Sequence, residues 1–536
     1  MNCGSIPLVT AQQMTEIDRR AQQEYSIPGL VLMENAGYRA WRLLEGRLAA
    51  EAASTRDDRD APPPNRRHLD RDCRHLRRPR ATAQRLLFVA GKGNNGGDAL
   101  VMARHCAIEG FHLPTVLVTE RSEREPGAGH RRACEALGVS VLDWQGERER
   151  AVEAIESADW IVDGVAGTGV SGRLSGAAAE LVAAINQAAG RVAAVDCPSG
   201  VGDEFEPDFP AVRADLTITI GLPKRHLYYR HSRVLSGEIV VLPIGFPPAL
   251  INAASREWLL ADEDALERLL PPMSRAAFKN RRGVVAVFAG AHGTSGAAVL
   301  CSRAAARCGV GMVRLYCDRS VYPVIAPRLE SVMAVPCDPP SGPAAGADAV
   351  AVGPGWGSGA EREPQLAALL AQPLPGVIDA DGIEVLRRLL DSGRLRTLQG
   401  RWVLTPHPGE FASLCGLQRS ALPENPVPLL QNWSARLDAV IVLKGHVNYI
   451  AVPEGRMTIV DGMNPALGTG GSGDVLAGII TALLARGLNP AFAAEAGTVL
   501  HQVAGKRLFA ERGLFLAEDM PERLSALTAE FTRFVH

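Results

Sequence analysis

The chain has 536 residues, too many for one ordinary hydrophobic core, so two large domains or three smaller ones are expected. Hydrophobic residues at 46% with 22% charged fit a soluble globular protein, and a net charge of −2 argues against nucleic acid or an anionic membrane as partner. No apolar run reaches a membrane span of roughly 18 residues and the N-terminus lacks a signal-peptide core, so a cytoplasmic location is expected.

In chain order, an opening helical segment with MENAG at 33–37 precedes residues 51–80, where arginine, aspartate and proline predict a solvated insertion. The apolar runs LLFVAG, TVLVTE, WIVDGVAG, VAAVDCPSG, LTITIG and EIVVLPIG then alternate with helical stretches to about residue 246, the pattern of a doubly wound α/β sheet. A polar helix, REWLLADEDALERLL, and the breaker PPMS follow a boundary near residue 255. The pattern then restarts with VVAVFAG, MVRLYC, AVAVGPG, GVIDADG, WVLTPHPG and AVIVLKG. The ten cysteines are scattered without a C-x-x-C pair and read as buried reduced thiols. Only five of 57 basic residues are lysine (Lys92, Lys224, Lys279, Lys444, Lys506), and four of the five lie in or beside glycine-rich stretches. An arginine-rich chain keeps lysine mainly where a compact ammonium is needed, although chance survival is a competing explanation, above all for Lys506.

Gly91, Gly93 and Gly96 form G-x-G-x-x-G between a strand and a helix, the context of a dinucleotide loop. Two amides, Asn94 and Asn95, and the carboxylate of Asp98 at the helix entrance disagree with a bound pyrophosphate. The acidic residue expected about 20 positions on is also missing. GNNGGD at 93–98, DGVAGTGVSG at 163–172 and DCPSG at 196–200 all sit at strand ends, where α/β sheets place their ligand crevice. Oxygens of Asn95, Asp163 and Ser199 are candidates to surround a monovalent or hard cation, and Asp196 is available as an acid/base. Taken singly, Asp163 capping a helix and Ser199-Gly200 making a turn are the plainer explanations.

In the second half, GTGGSGDVLAGIITALLARG at 468–487 runs from a glycine loop into an apolar helix, so backbone N–H groups and the helix dipole face one anion. Asp474 at that mouth suits a base that deprotonates a hydroxyl for phosphoryl transfer, with a simple helix cap as the alternative. TPHPGEF brings His407 and Glu410 to a strand end, and LKGHVNYI supplies Lys444 and backbone groups for a nucleotide. HGTSGAA and GPGWGSG add loops that admit a ligand close to the backbone. DAD at 379–381 is a magnesium candidate or an Asx-turn, and His501 reads as a core histidine.

MENAG, GNNGGD, DGVAGTG, DCPSG and GLPK at 221–224 together resemble the NAD(P)H-hydrate epimerase domain, also called the YjeF N-terminal domain. The resemblance implies a Rossmann-like three-layer fold over residues 1–255 that epimerises hydrated NADH and NADPH at the hydroxyl-bearing ring carbon. It implies contact with the hydrate from Asn94, Asn95, Gly96, Gly97, Asp98, Gly167, Thr168, Gly169, Val170, Ser171, Gly172, Arg173 and Asp196. It also implies a potassium ion on Asn95, Asp163 and Ser199, with Asp196 as catalytic acid/base. Ala99 stands where that family usually has glycine.

Residues 265–515 resemble a ribokinase-like α/β fold and, more closely, the ADP- or ATP-dependent NAD(P)H-hydrate dehydratase, with TPHPGE and GTGGSGD the most specific parts and Ser472 in place of the usual threonine. This implies a second domain over 256–536 in which Ala297, Gly355, Gly357, His407 and the catalytic Asp474 meet the S hydrate. Lys444, Gly445, His446, Val447, Asn448 and Gly473 would hold ADP or ATP, used with magnesium. The implied reaction phosphorylates the hydrate hydroxyl and then eliminates phosphate. Small molecules and further copies of the chain in a homo-oligomer are the expected partners. The rival is a vitamin-precursor kinase of the same superfamily joined to a non-catalytic nucleotide-binding module, distinguished by whether the phosphate stays on the product.

Overall fold

A computed structural model describes residues 5–54, 83–121, 123, 125–337, 344 and 346–535. Of the insertion expected at 51–80, residues 51–54 complete the helix Gly29–Ser54 and the remainder lies outside the described residues. The chain divides into two compact units, Leu8–Ser255, and Arg256–His536 together with Met1–Pro7. The first strand, β1 (Ser5–Pro7), therefore leaves the domain that follows it in sequence. It pairs antiparallel with Trp258–Ala261, which moves the start of the first domain from residue 1 to Leu8.

In Leu8–Ser255, β2 (Arg85–Ala90), β3 (Leu113–Val118), β4 (Ser140–Asp143), β5 (Trp160–Gly164), β6 (Arg191–Val195), β7 (Leu216–Ile220) and β8 (Glu238–Leu242) form one parallel sheet in the order β4-β3-β2-β5-β6-β7-β8. The central strands are apolar without alternation because helices cover both faces. Along β2, Leu87 and Val89 pack with Ile155 and Leu181 on one side. Phe88, pointing the other way, meets Trp41 of the helix Gly29–Ser54 at 6.4 Å between ring centres. The chain leaves β2 toward β3 and returns on the opposite side of β2 to β5, so the loops after β2 and β5 diverge and open a crevice at their carboxyl ends.

The second unit carries β9 (Trp258–Ala261), β11 (Val284–Phe288), β12 (Met312–Asp318), β13 (Val332–Cys337), β14 (Ala349–Val352), β15 (Gly376–Ile378), β16 (Trp402–Leu404), β17 (Val440–Leu443), β18 (Val447–Ala451) and β19 (Met457–Asp461). With β1 they make an eleven-stranded sheet ordered β1-β9-β19-β18-β17-β16-β15-β14-β11-β12-β13. It is parallel from β13 to β17 and antiparallel where β18 pairs with β17 and β19, a ribokinase-like arrangement. A small parallel pair, β10 (Met273–Ser274) with β20 (Phe534–Val535), stands apart. The polar helix expected at REWLLADEDALERLL is corrected: Trp258–Ala261 is the strand β9, and only Leu266–Leu269 is α-helical. All four side chains of WLLA are buried, and pairing on both edges with β19 and β1 outweighs the local helical composition.

Two helices that begin at the site, Ser295–Arg307 and Ser472–Ala485, are packed at backbone contact. A Cβ added to Gly478 would lie 2.2 Å from the carbonyl oxygen of Cys301. Gly478→Ala is therefore expected to destabilise the second unit by about 1–3 kcal/mol through overpacking. Gly46→Ala, on an exposed helix face with nothing within 4 Å of the new methyl, should stabilise by about 0.5–1 kcal/mol. Denaturant unfolding of the two variants checks the opposite signs.

Candidate functional site

The site of the first unit is built from loops that only glycine lets approach. Gly91 donates its N–H to the carbonyl of Gly164 at 2.9 Å, and a Cβ there would fall 1.8 Å from the oxygen of Val165. A Cβ on Gly96 would fall 2.1 Å from the oxygen of Gly91. Gly91 thus lets the end of β2 close against the end of β5, and Gly96 lets the following helix close on Gly91, whereas a Cβ on Gly93 would meet nothing within 4 Å. Above them lies a cavity of about 670 Å³ lined by Asn94, Asn95, Asp98, Gly167, Thr168, Gly169, Val170 and Asp196. Thr15, Thr119, Glu120, Gln145 and Ser175 also line it, none of which belongs to a motif. Gly96 and Gly97 are buried in the helix Asn94–Glu109, outside that lining. Ser171 and Gly172 also fall outside it, and Arg173 is turned to Asp208 at 2.6 Å. Ala99 is fully buried and fits because its neighbour is Gly164, where a Cβ would come within 2.7 Å of the alanine methyl.

Asp196 follows β6 with φ +67°, a conformation that a non-glycine residue adopts only under constraint. Its Oδ1 accepts the N–H of Ile220 at 3.0 Å and is ion-paired with Lys224, whose side chain is fully buried. Lys224 Nζ also donates to Ile220 O at 2.7 Å and Thr219 Oγ1 at 3.2 Å. The GLPK segment therefore aims a buried ammonium at the acid/base candidate.

Of the three candidate cation donors, Asp163 and Ser199 are in direct contact. Ser199 donates its hydroxyl to Asp163 Oδ1 at 2.6 Å and its N–H to Oδ2 at 2.8 Å. Burial pushes the Asp163 carboxyl up to about 6 against those hydrogen bonds. Asn95 is buried with both side-chain polar atoms unpartnered, an unusual expense for an amide. Gly167 backs onto it, a Cβ there coming within 3.0 Å of Asn95 Cγ. An orphan buried amide oxygen, with a buried carboxylate and hydroxyl from neighbouring strand ends, has the chemistry of oxygen ligands for a monovalent cation.

In the second unit, Asp379 at the end of β15 accepts Lys444 Nζ at 2.7 Å and Thr405 Oγ1 at 2.8 Å. Burial disfavours the Lys444 ammonium, but Asp379 and Glu410 outweigh it and hold the group above the ordinary lysine value. Asp381 instead accepts the N–H of Gly357 at 2.8 Å, and Ala380 between them has φ +47°. Of the DAD pair, one aspartate is thus engaged with lysine and the other with a loop amide. Among the described residues no cluster of three metal-ligating side chains occurs. Such a site suits magnesium that arrives with phosphate oxygens and keeps its waters.

Asp474 lies half-buried in the first turn of the helix Ser472–Ala485. Burial and then the charge of Asp379 push its carboxyl up to about 7, against the pull of Lys444. Lys444 Nζ sits 3.1 Å from where a Cβ of Gly473 would be, so glycine keeps the ammonium at the loop. The loop is held from below by His501, whose Nε2 donates to the carbonyl of Ser472 at 3.0 Å. Burial lowers this imidazole to about 4, so it is a neutral, satisfied core histidine.

The remaining candidates ring this centre. Ala297 is in the first turn of Ser295–Arg307. Gly355 has φ +53° and accepts the hydroxyl of Thr294 at 2.8 Å, while Gly357 has φ +77°. His407 caps the helix Pro408–Leu414, its Nδ1 accepting N–H groups of Gly409 and Glu410 at 3.0 and 3.2 Å. Its Nε2 then carries the proton, 3.3 Å from Glu410 Oε1. Gly445 donates to Asn448 Oδ1 at 3.3 Å, His446 is exposed at the turn and Val447 opens β18. Thr405, not singled out from the sequence, is the first residue of TPHPGEF and its hydroxyl pairs with Asp379.

Comparison with known proteins agrees with both halves. Residues 29–226 match the family described as YjeF-related protein N-terminus, and residues 285–526 match NAD(P)H-hydrate dehydratase. A bifunctional NAD(P)H-hydrate repair enzyme of Moorella thermoacetica is 32% identical across 94% of this chain and 93% of its own length. Its counterpart from Coxiella burnetii is 33% identical across 83% and 90% respectively. Among solved structures, an ADP/ATP-dependent NAD(P)H-hydrate dehydratase from Bacillus subtilis, co-crystallised with ATP and Mg²⁺, is 26% identical, covering 50% of this chain and 97% of that one at a TM-score of 0.45. With both halves matched and relatives aligned nearly end to end, this chain belongs to the family of bifunctional NAD(P)H-hydrate repair enzymes.

Proposed function

We propose that the protein repairs hydrated NADH and NADPH in two steps, epimerising the hydrate at Asp196 and dehydrating one epimer at Asp474 with ADP or ATP. The observation that carries the second step is the placement of Asp474. A carboxyl near 7 beside a glycine loop and the Lys444–Asp379 pair combines a base poised at working pH with an anion-stabilising pocket. Asp474 takes the proton of the hydrate hydroxyl, the freed oxygen bonds to the terminal phosphorus of the nucleotide, and the bond from that phosphorus to the bridging oxygen breaks, releasing AMP from ADP or ADP from ATP. The N–H groups of the loop and the Lys444 ammonium offset the charge that develops. Magnesium, when bound with the nucleotide, neutralises phosphate charge. The phosphorylated carbon then loses phosphate with its bonding pair, and loss of a proton from the neighbouring carbon restores the ring double bond. Relatives named as bifunctional repair enzymes and aligned across both halves support this reading over a precursor kinase, in which the phosphate would stay on the product.

Asp474→Asn should abolish nucleotide-dependent recovery of nicotinamide absorbance from the hydrate. Because the base must be ionised, wild-type kcat for this step should fall about tenfold per pH unit below about 7. The folded carboxyl lies above its unfolded value, so ionising it erodes stability as pH rises from about 4 toward 7. Asp474→Asn should accordingly hold or raise Tm at neutral pH, and retained dehydration in that variant would refute the assignment.

For the first step, Asn95, Asp163 and Ser199 hold potassium in this reading, supported by the orphan amide of Asn95. Epimerisation by the wild type should rise with potassium, and Asp163→Ala should be slow and lose that response. Given an equal mixture of epimers with excess nucleotide, Asp196→Ala should show one fast phase for the reactive epimer and then a phase at the spontaneous epimerisation rate. One rapid phase consuming both hands in that variant would place the acid/base elsewhere.

A further inference from the structure

Two cavities of the first unit meet at a pair of carboxyl groups. Asp98 and Asp196 line both the larger cavity and a second one of about 350 Å³, whose other walls include Leu30, Met33 and Phe246. Their surroundings differ. Asp196 is ion-paired with Lys224 and accepts the N–H of Ile220. Asp98, on the helix Asn94–Glu109, is only 7% exposed, and its carboxyl has no hydrogen-bond or ion-pair partner among the described residues. The charged groups that face it are Asp196 after β6, Asp18 from the helix Ala11–Glu24, and Lys224 after β7. Burial, then Asp196 and Asp18, push the Asp98 carboxyl well above the ordinary range, with Lys224 opposing. A pair of carboxyls so unlike in their surroundings, one held by a lysine and the other unpaired and raised by burial, is suited to divided base and acid roles.

We propose that Asp98 is the proton donor of the epimerisation, acting opposite Asp196 as the base. This rests on the epimerase reading above and adds a second catalytic group to it. Water added to the dihydropyridine places the hydroxyl on the carbon bonded to the ring nitrogen, a hemiaminal. Asp196 takes the hydroxyl proton, the O–H pair becomes the second carbon–oxygen bond, and the carbon–nitrogen bond breaks with its pair going to nitrogen. Asp98 delivers its proton to that nitrogen. The open aldehyde turns about its carbon–carbon bond, and nitrogen adds to the opposite face, returning a proton to Asp98 while oxygen takes one from Asp196. Nothing is consumed, and both groups end as they began.

The test gives the full chain one purified hydrate epimer without nucleotide and follows interconversion by chromatography. Asp98→Asn should lower kcat at least about 100-fold with KM little changed. Nucleotide-dependent dehydration of the reactive epimer by the same protein should be unaffected. Wild-type kcat should fall at high pH as Asp98 loses its proton, and the residual rate of Asp98→Asn should lack that alkaline limb. Asp98→Glu, which keeps the acid, should recover part of the rate. Since the native carboxyl has no partner to lose among the described residues, thermal unfolding of Asp98→Asn should be unshifted or higher. A raised KM with kcat intact, or an alkaline limb that survives the substitution, would overturn the donor role and leave Asp98 as a binding residue. A wild-type chain that leaves the epimer untouched would overturn the epimerase reading itself, and the donor role with it.

Discussion

A lysine ammonium held against an aspartate at the carboxyl edge of a parallel sheet organises each half of this protein. Lys224 holds Asp196 in one unit and Lys444 holds Asp379 in the other. Such pairs are poor sources of stability, because desolvating two charges roughly cancels their attraction, yet removing one partner leaves a buried charge at a cost of about 3–5 kcal/mol. Their value here lies in geometry. Each lysine fixes where negative charge sits at the mouth of the sheet, and the neighbouring carboxyls, Asp98 and Asp474, are raised by burial and by the charge that is already there. A compact ammonium at the end of a flexible stem can reach under a strand end where a planar guanidinium cannot. Two of the scarce lysines, Lys224 and Lys444, are paired in this way with the aspartates Asp196 and Asp379. Lys92, more exposed, pairs with Glu120 in the lining of the same cavity as Asp196, and Lys506 is exposed.

Much of the architecture was legible in the sequence for a simple reason. Central parallel strands are buried on both faces, so runs such as LLFVAG and VVAVFAG stand out without any alternation, and glycine loops mark where they end. Elements at the edges were harder. WLLA lies in a polar context that reads as helix, and only its partners on either side make it a strand. Ser5–Pro7 carries no pattern at all, and its partner is about 250 positions away.

The sites divide along the same line. Motif residues whose spacing dictates their chemistry, such as Asp474 after its glycine loop, could be named from the sequence. Cavity residues such as Thr15 and Gln145 could not, because nothing local marks a side chain that reaches a site from a distant element. Asp98 is the instructive intermediate. From sequence it is a carboxylate at a helix entrance, a place where exposed acids are common. Its lack of a partner among the described residues, and the burial that raises its carboxyl, arise where residues of the helices Ala11–Glu24 and Gly29–Ser54 line the same cavity, and no local pattern encodes that.

The pairing of Ser5–Pro7 with Trp258–Ala261 makes the first domain, in covalent terms, an insertion within the second. During synthesis the strand leaves the ribosome first and its partner only after the whole intervening domain. At roughly 5–20 residues per second that wait is on the order of ten seconds or more. The intervening domain has time to fold as a unit, and closing the edge of the second sheet becomes one of the last acts of assembly. Until it happens β9 has an open edge, of the kind that recruits foreign strands. The three residues of β1 thus serve as a late seal, tying completion of the larger sheet to prior translation of everything between.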